Sequence, residues 1–299
     1  MENVNFGKKD DDWFKKLIIG NNHPIDVSPE TLNKNWINFS NWLNNKINEN
    51  PTLKINRENN LETSKQLVKD IPLILSFHSI EKVIPGIIKQ EAILSREEAK
   101  KRSIKLSITM GEFDSTVNLE NHISTYFGNI GSFLYGNNTL IIKPEIMEQN
   151  NKNFFVIEGD TNLFQGDMYR KDIRDSILPC SKFYEFIANY VAAFYEKPID
   201  YLRVNDKDHE KYLMDIGAPY LHILNEGKEV CYSPEIRINQ NINIKDIIGF
   251  ATWNDFNKIN EESFKKFSLQ IPHINFDPKS NKSFGETVSS FYKEFKYKQ

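Results

Sequence analysis

The sequence predicts an α+β fold. Short apolar runs with the length of buried strands come both singly and in pairs, helical-period segments gather towards the two ends, and no regular β-α-β alternation joins them. With 299 residues the chain is long enough for a full core, because a globule of this size buries about 75% of the surface its unfolded chain exposes. At roughly 150 residues per domain the expectation is two domains, or one large domain with extensions. Hydrophobic residues at 39% and charged residues at 26% exclude a wholly disordered chain.

Ser28-Pro29-Glu30 opens the first helix, with Ser as N-cap, Pro at the first helical position and an acid in the first turn. Leu32, Trp36, Phe39, Trp42, Leu43 and Ile47 then recur at steps of three and four, and Asn50-Pro51 ends the helix. A second helix is predicted over 61–69, so residues 1–70 form an N-terminal helical region. Trp36 and Trp42 read as core or packing residues, since large aromatics are mostly buried. The apolar run 71–77 is a strand that leads into His78-Ser79. Ile80, Val83, Ile84, Ile87 and Ile88 follow with a helical period interrupted by Pro85-Gly86, and the charged stretch 96–105 is solvent-facing helix or loop.

Strands are predicted at 139–142 and 154–157, then a helix over 181–194 with Phe183, Phe186, Ile187, Tyr190 and Phe194 on one face. A hairpin is expected around Asn225-Glu226-Gly227. Residues 234–238 alternate like a strand with one wet face, and 247–253 is a further strand. Two polar amphipathic helices, near 261–267 and 283–295, close the chain.

Several function classes lose ground at once. A net charge of −3 argues against a protein that coats duplex nucleic acid. The only cysteines, Cys180 and Cys231, allow one disulfide at most and cannot build a zinc site alone, so a reducing compartment is expected. Lys8-Lys9-Asp10-Asp11-Asp12 precedes a short apolar stretch, an order and acidity wrong for a secretory signal. No apolar run approaches the roughly 20 residues that span a bilayer, and a cytoplasmic protein is the expectation. There is no P-loop, GxGxxG, HExxH, GxSxG or kinase signature. The six histidines show no spacing that puts two on one helix face, which leaves a metal site without support.

Three features in order carry chemistry. Phe77-His78-Ser79 ends an apolar strand, Tyr126-Phe127-Gly128 follows, and Pro234-Glu235-Ile236 puts a lone carboxylate on an alternating strand. The segments 78–95 (HSIEKVIPGIIKQEAILS), 117–145 (with its YGNNTLIIKPE) and 233–253 (SPEIRINQNINIKDIIGFATW) carry the resemblance. Together they resemble the ADP-ribosyltransferase superfamily, most closely the bacterial DNA-targeting (DarT-like) ADP-ribosyltransferase toxins.

The resemblance implies an NAD-using domain over 71–255, built on a split antiparallel sheet with the NAD cleft between two small sheets; beyond it the chain is read as a helical extension over 256–299. The resemblance itself runs over about 71–253 and leaves both ends unexplained, so the extension over 256–299 rests on the amphipathic pattern alone. It implies Glu235 as the carboxylate that stabilises oxocarbenium character on the ribose when the nicotinamide bond breaks. His78, with Ser79 beside it, would hold a ribose hydroxyl. Tyr126 would stack on the nicotinamide ring, and Arg96 or Arg102 would pair with the pyrophosphate. The acceptor would be a nucleic-acid base or a protein side chain. A toxin or effector role, delivery into another cell and an inhibitory antitoxin protein follow by the same analogy. The arginine-directed class carries a Glu two residues before the catalytic one, where this chain has Ser233.

Each residue has a plainer reading. His78 would be a hydrogen-bonded structural histidine, and Tyr126 a core aromatic. Arg96 and Arg102 would belong to a solvated charge run. Glu235 would lie on the polar face of an edge strand, paired with Arg237 two positions on. The alternative for the whole chain is a non-catalytic binding protein, docking a partner through its Trp36/Trp42 helix and C-terminal helices.

Overall fold

The computed structural model describes residues 26–77, 80–104, 121–128, 138–149, 154–157, 177–203, 223–225, 228–230, 235–253, 271–276 and 282–298. Two helices lead, α1 (Pro29–Glu49) and α2 (Pro51–Val68). Ser28 Oγ accepts the Thr31 N–H at 3.3 Å, the cap its sequence announces. Asn50 closes α1 and also caps α2, its Oδ1 accepting the N–H groups of Thr52 at 3.0 Å and Leu53 at 3.3 Å. Asn50-Pro51 is therefore a start signal as well as a stop, and the second helix begins at Pro51 rather than at residue 61. Its first ten residues carry few apolar side chains, so hydrophobic period alone does not reveal them.

The strands are β1 (Leu73–Phe77), β2 (Ala92–Ile93), β3 (Ile123–Phe127), β4 (Asn138–Ile142), β5 (Phe154–Ile157), β6 (Ile177–Pro179), β7 (Ile223–Asn225), β8 (Lys228–Val230), β9 (Glu235–Ile238), β10 (Ile242–Asn243), β11 (Ile247–Trp253) and β12 (His273–Phe276). Eight of them form one sheet in the order β12-β11-β4-β1-β3-β9-β5-β6, while β2 pairs with β10 and β7 with β8. Every ladder is antiparallel except β11 with β12. The fold is α+β, as the sequence predicts. The hairpin falls on β7 and β8, whereas the helix expected at 261–267 lies outside the described residues.

The large sheet is not uniformly joined. β1 pairs with β4 through five residue pairs but with β3 through only two, Leu73↔Phe127 and Ile74↔Tyr126. Beyond Ile74 no further pair joins β1 to β3, which leaves halves β12-β11-β4-β1 and β3-β9-β5-β6 held together at one end. The resemblance implies two small sheets; the structure has one eight-stranded sheet, narrowed at this short joint. Gly128 sits beside it at φ 74°, and a Cβ there would fall 2.1 Å from Ile71 Cγ2. Only glycine combines that left-handed backbone with so close an approach.

Helix α3 (Ile80–Gln90) runs through Pro85-Gly86 instead of breaking there. Its buried Ile84 and Ile87 pack on Phe77, Leu140 and Phe250, and that burial outweighs the lost backbone hydrogen bond. α4 (Arg96–Lys101) and the short α5 (Ile146–Gln149) follow. α6 (Phe183–Phe194) is the buried centre of the helical layer, with nine of its residues in the core. Phe39 and Phe127 meet α6 edge-on, at 4.6 Å from Phe186 and 4.6 Å from Phe183, and Trp42 stacks on Phe194 at 6.2 Å. Trp36 and Trp42 are half-buried against this cluster, which also holds Leu73, Ile123, Ile236 and Ile238 from the sheet.

The opposite face is covered by α7 (Phe284–Lys298), whose Phe284, Val288 and Tyr292 share a buried cluster with Ile74, Tyr126, Ile141 and Ala251. α7 starts in a reciprocal capping box: Glu286 N–H donates to Ser283 Oγ at 3.1 Å, and Ser283 N–H donates to Glu286 Oε2 at 2.9 Å. Further along, Ser289 Oγ donates to the Asp70 carbonyl at 2.9 Å, and Tyr292 OH donates to Glu145. Among the described residues no helix is long and apolar enough to cross a membrane.

Candidate active site

β9 is an interior strand. It pairs with β3 on one side, in the register Tyr126↔Glu235 and Ser124↔Arg237, and with β5 on the other. Directly opposed residues of an antiparallel ladder point to the same face, as do residues two apart on one strand. Ser124, Tyr126, Glu235 and Arg237 therefore share a face, while Thr125, Phe127, Ile236 and Ile238 point to the other. β3 is also the strand from which β1 parts, so this polar quartet lies along the division between the two half-sheets. Across it on the same face stands half-buried Ser76, bonded to Thr139 with 2.8 Å between their hydroxyl oxygens.

The expected wet face of residues 234–238 is overturned, since all four residues of β9 are buried. β9 has a strand on each side, and Glu235 is 1% exposed and Arg237 4% exposed. Their pairing, readable from the spacing, is present. Arg237 Nε lies 2.7 Å from Glu235 Oε1, a charge contact in which the N–H is not aligned on that oxygen. Ser124 Oγ donates a hydrogen bond to the same Oε1. In this low-dielectric position each buried charge helps to compensate the other.

Tyr126 adjoins Glu235 in the ladder and is 8% exposed, its ring packed in the cluster beneath α7. Glu235 and Tyr126 are thus brought together. His78 and Ser79, which follow the last residue of β1, lie outside the described residues, as does Ser233. Arg96 and Arg102 belong to α4 and the turn that ends it. α4 follows β2, and β2 pairs with β10 beyond the Ile238 end of β9. Glu235 opens that strand, three residues or about 10 Å away along it. Arg102 is held by Glu98 at 2.8 Å and Gln90 at 2.7 Å on the surface. Among the described residues, the cation beside Glu235 is Arg237.

Ser124 and the inward role of Arg237 escape a reading of the sequence. The one available signal is alternation, Ser124 standing two residues before Tyr126 as Arg237 stands two after Glu235. Among other reactive groups, Cys180 is a free, buried thiol that burial pushes up to about 12, so it is protonated at neutral pH. No group of His, Cys, Asp and Glu fit to hold a metal occurs among the described residues.

No family model matches the sequence, and no curated protein matches it. Among solved structures, Thermosipho africanus DarTG in complex with ADP-ribose is similar with a TM-score of 0.39 and 15% sequence identity, over 68% of this chain and 49% of that one. The chain spans about half the length of that protein. At such a TM-score and identity the likeness says nothing of which residues act.

Proposed function

We propose that the protein is an NAD-dependent mono-ADP-ribosyltransferase with Glu235 as its catalytic carboxylate. What supports the reading is the ordered sequence resemblance together with one observation. The carboxylate that resemblance singles out is buried on an interior strand, next to Tyr126, where the sheet divides.

In this reaction the bond between the ribose C1′ and the nicotinamide nitrogen breaks, and its electron pair leaves with nicotinamide. The ribose acquires oxocarbenium character, and an acceptor heteroatom supplies the new pair to C1′ and gives up its proton. Glu235 would sit beside the ribose, stabilise the positive charge and orient a ribose hydroxyl. Tyr126 would offer its ring to nicotinamide, and His78 with Ser79 would hold the ribose. Arg96 or Arg102 would serve the pyrophosphate only by approaching from α4. The acceptor is a nucleic-acid base or a protein side chain, and a toxin or effector role with an inhibitory partner protein belongs to the same proposal.

The test is release of nicotinamide from labelled NAD by the purified full chain, with and without added nucleic acid or protein acceptors. Turnover that falls at least ~10²-fold in Glu235→Gln, with the protein still folded, is the expected result. Full turnover in that variant would show that Glu235 is not the catalytic carboxylate. A second reading, a non-catalytic binding module, draws on the fact that Oε1 of Glu235 is already engaged by Arg237 and Ser124. It is favoured if NAD gives neither nicotinamide nor a shift in melting temperature.

A further inference from the structure

We propose that Arg237 is a positioning residue for Glu235, acting with Ser124 as a two-point clamp on a single carboxylate oxygen; this rests on Glu235 being the catalytic group. The geometry has three parts. Arg237 Nε stands 2.7 Å from Oε1, and Ser124 Oγ donates to that same atom. Ser124 and Arg237 are themselves direct ladder partners, two residue pairs along from Tyr126↔Glu235 with Thr125↔Ile236 between. All three side chains are consequently carried by two hydrogen-bonded strands whose backbones fix their spacing.

The last torsion of a glutamate is soft, with broad rather than sharply staggered preferences. A carboxylate left to itself would sample many planes. Two contacts converging on Oε1 remove that freedom, so a ribose presented to the group meets it in one orientation. Residues two apart on a strand are about 7 Å apart along it. A long cationic side chain closes that gap; Gln at 237 is shorter and carries no charge, whereas Lys retains the charge and most of the reach. A purely structural brace would predict lost stability alone, and a phosphate-binding arginine would predict weaker NAD binding. A positioning residue predicts lost turnover at unchanged binding, because a misplacement of about 1 Å in a reacting group costs on the order of 10²-fold in rate.

Steady-state kcat and KM for nicotinamide release, measured on the full chain as wild type, Arg237→Gln, Arg237→Lys and Ser124→Ala, decide it. Arg237→Gln is expected to lose about 10²-fold in kcat with KM held within about threefold, and Arg237→Lys to recover at least about tenfold of that loss. Ser124→Ala is expected to lose about tenfold in kcat at unchanged KM. Wild-type kcat in Arg237→Gln, or a loss carried by KM alone, overturns the clamp while leaving the ADP-ribosyltransferase reading standing. A silent wild type overturns that reading and the clamp with it. If Arg237→Gln does not fold, Arg237→Lys and Ser124→Ala carry the test, and wild-type kcat in both overturns the proposal.

Discussion

Replacing Gly285 with alanine tests how closely α7 is seated. Gly285 lies in the first turn of the helix, and a Cβ built on it would fall 2.5 Å from the Leu202 carbonyl oxygen and 3.2 Å from the Leu202 carbonyl carbon. That oxygen also accepts the Ser283 hydroxyl at 2.6 Å, so it is held where it is. Ordinary contact begins at 3.4 Å, and the helix would have to retreat by the difference, 3.4 less 2.5, or 0.9 Å. Two effects of opposite sign compete. Alanine in a helix is better than glycine by up to about 1 kcal/mol, whereas overpacking against backbone costs about 1–3 kcal/mol. The clash is with backbone and not with a side chain that can turn away, so the net expectation is a loss of about 1–2 kcal/mol. In a chain of this size that corresponds to a melting temperature lower by about 2–3 °C. Urea and thermal unfolding followed by circular dichroism measure it. A variant more stable than the wild type would refute the close seating of α7 on Leu202, because propensity alone would then have decided the sign.

The capping box supplies a second prediction. Burial tends to raise the Glu286 pKa, but the hydrogen bond from the Ser283 N–H and the contact with Arg203 at 3.1 Å together hold it below the ordinary glutamate range. A lowered folded pKa means the contribution is present above the usual value of 4.5 and fades as pH falls through the folded one. Glu286→Ala is expected to cost about 1 kcal/mol at neutral pH, and its deficit against wild type shrinks in acid; a deficit that grows below pH 4.5 would contradict the assignment. Cys180 yields a third. Desolvation favours its protonated thiol, so that contribution to stability is present below 9.0 and is lost as pH climbs towards about 12. Maleimide labelling at neutral pH, read on the Cys180 peptide by mass spectrometry, is expected to be at least ~10²-fold slower in the native protein than in denaturant; equal rates would mean the thiol is accessible.

Elements specified by neighbouring residues were legible without coordinates. Ser28-Pro29 caps α1, an aromatic stripe marks α6, and mainly apolar runs mark β1, β4, β5 and β11. β3 was not, because Ile123-Ser124-Thr125-Tyr126-Phe127 mixes polar and apolar residues on both alternations; β6 has only three residues, and β12 has only two aliphatic or aromatic apolar ones, Ile274 and Phe276. Pro85 looked like a break in α3 because propensity counts the lost hydrogen bond and not the sheet that Ile84 and Ile87 cover.

At the candidate site the same boundary runs between near and far. That Glu235 and Arg237 would face each other follows from strand alternation, a property of three consecutive residues. That they would be buried, with Ser124 bonded to the same oxygen from 111 residues away, does not. Burial depends on which strands flank β9 and what covers its faces, and those neighbours come from distant parts of the chain. Local pattern sets the direction of a side chain. Strand order, decided by the packing of the whole core, sets the dielectric around it and the atoms it can meet, and hence whether a carboxylate on a strand is solvated or held in a buried contact.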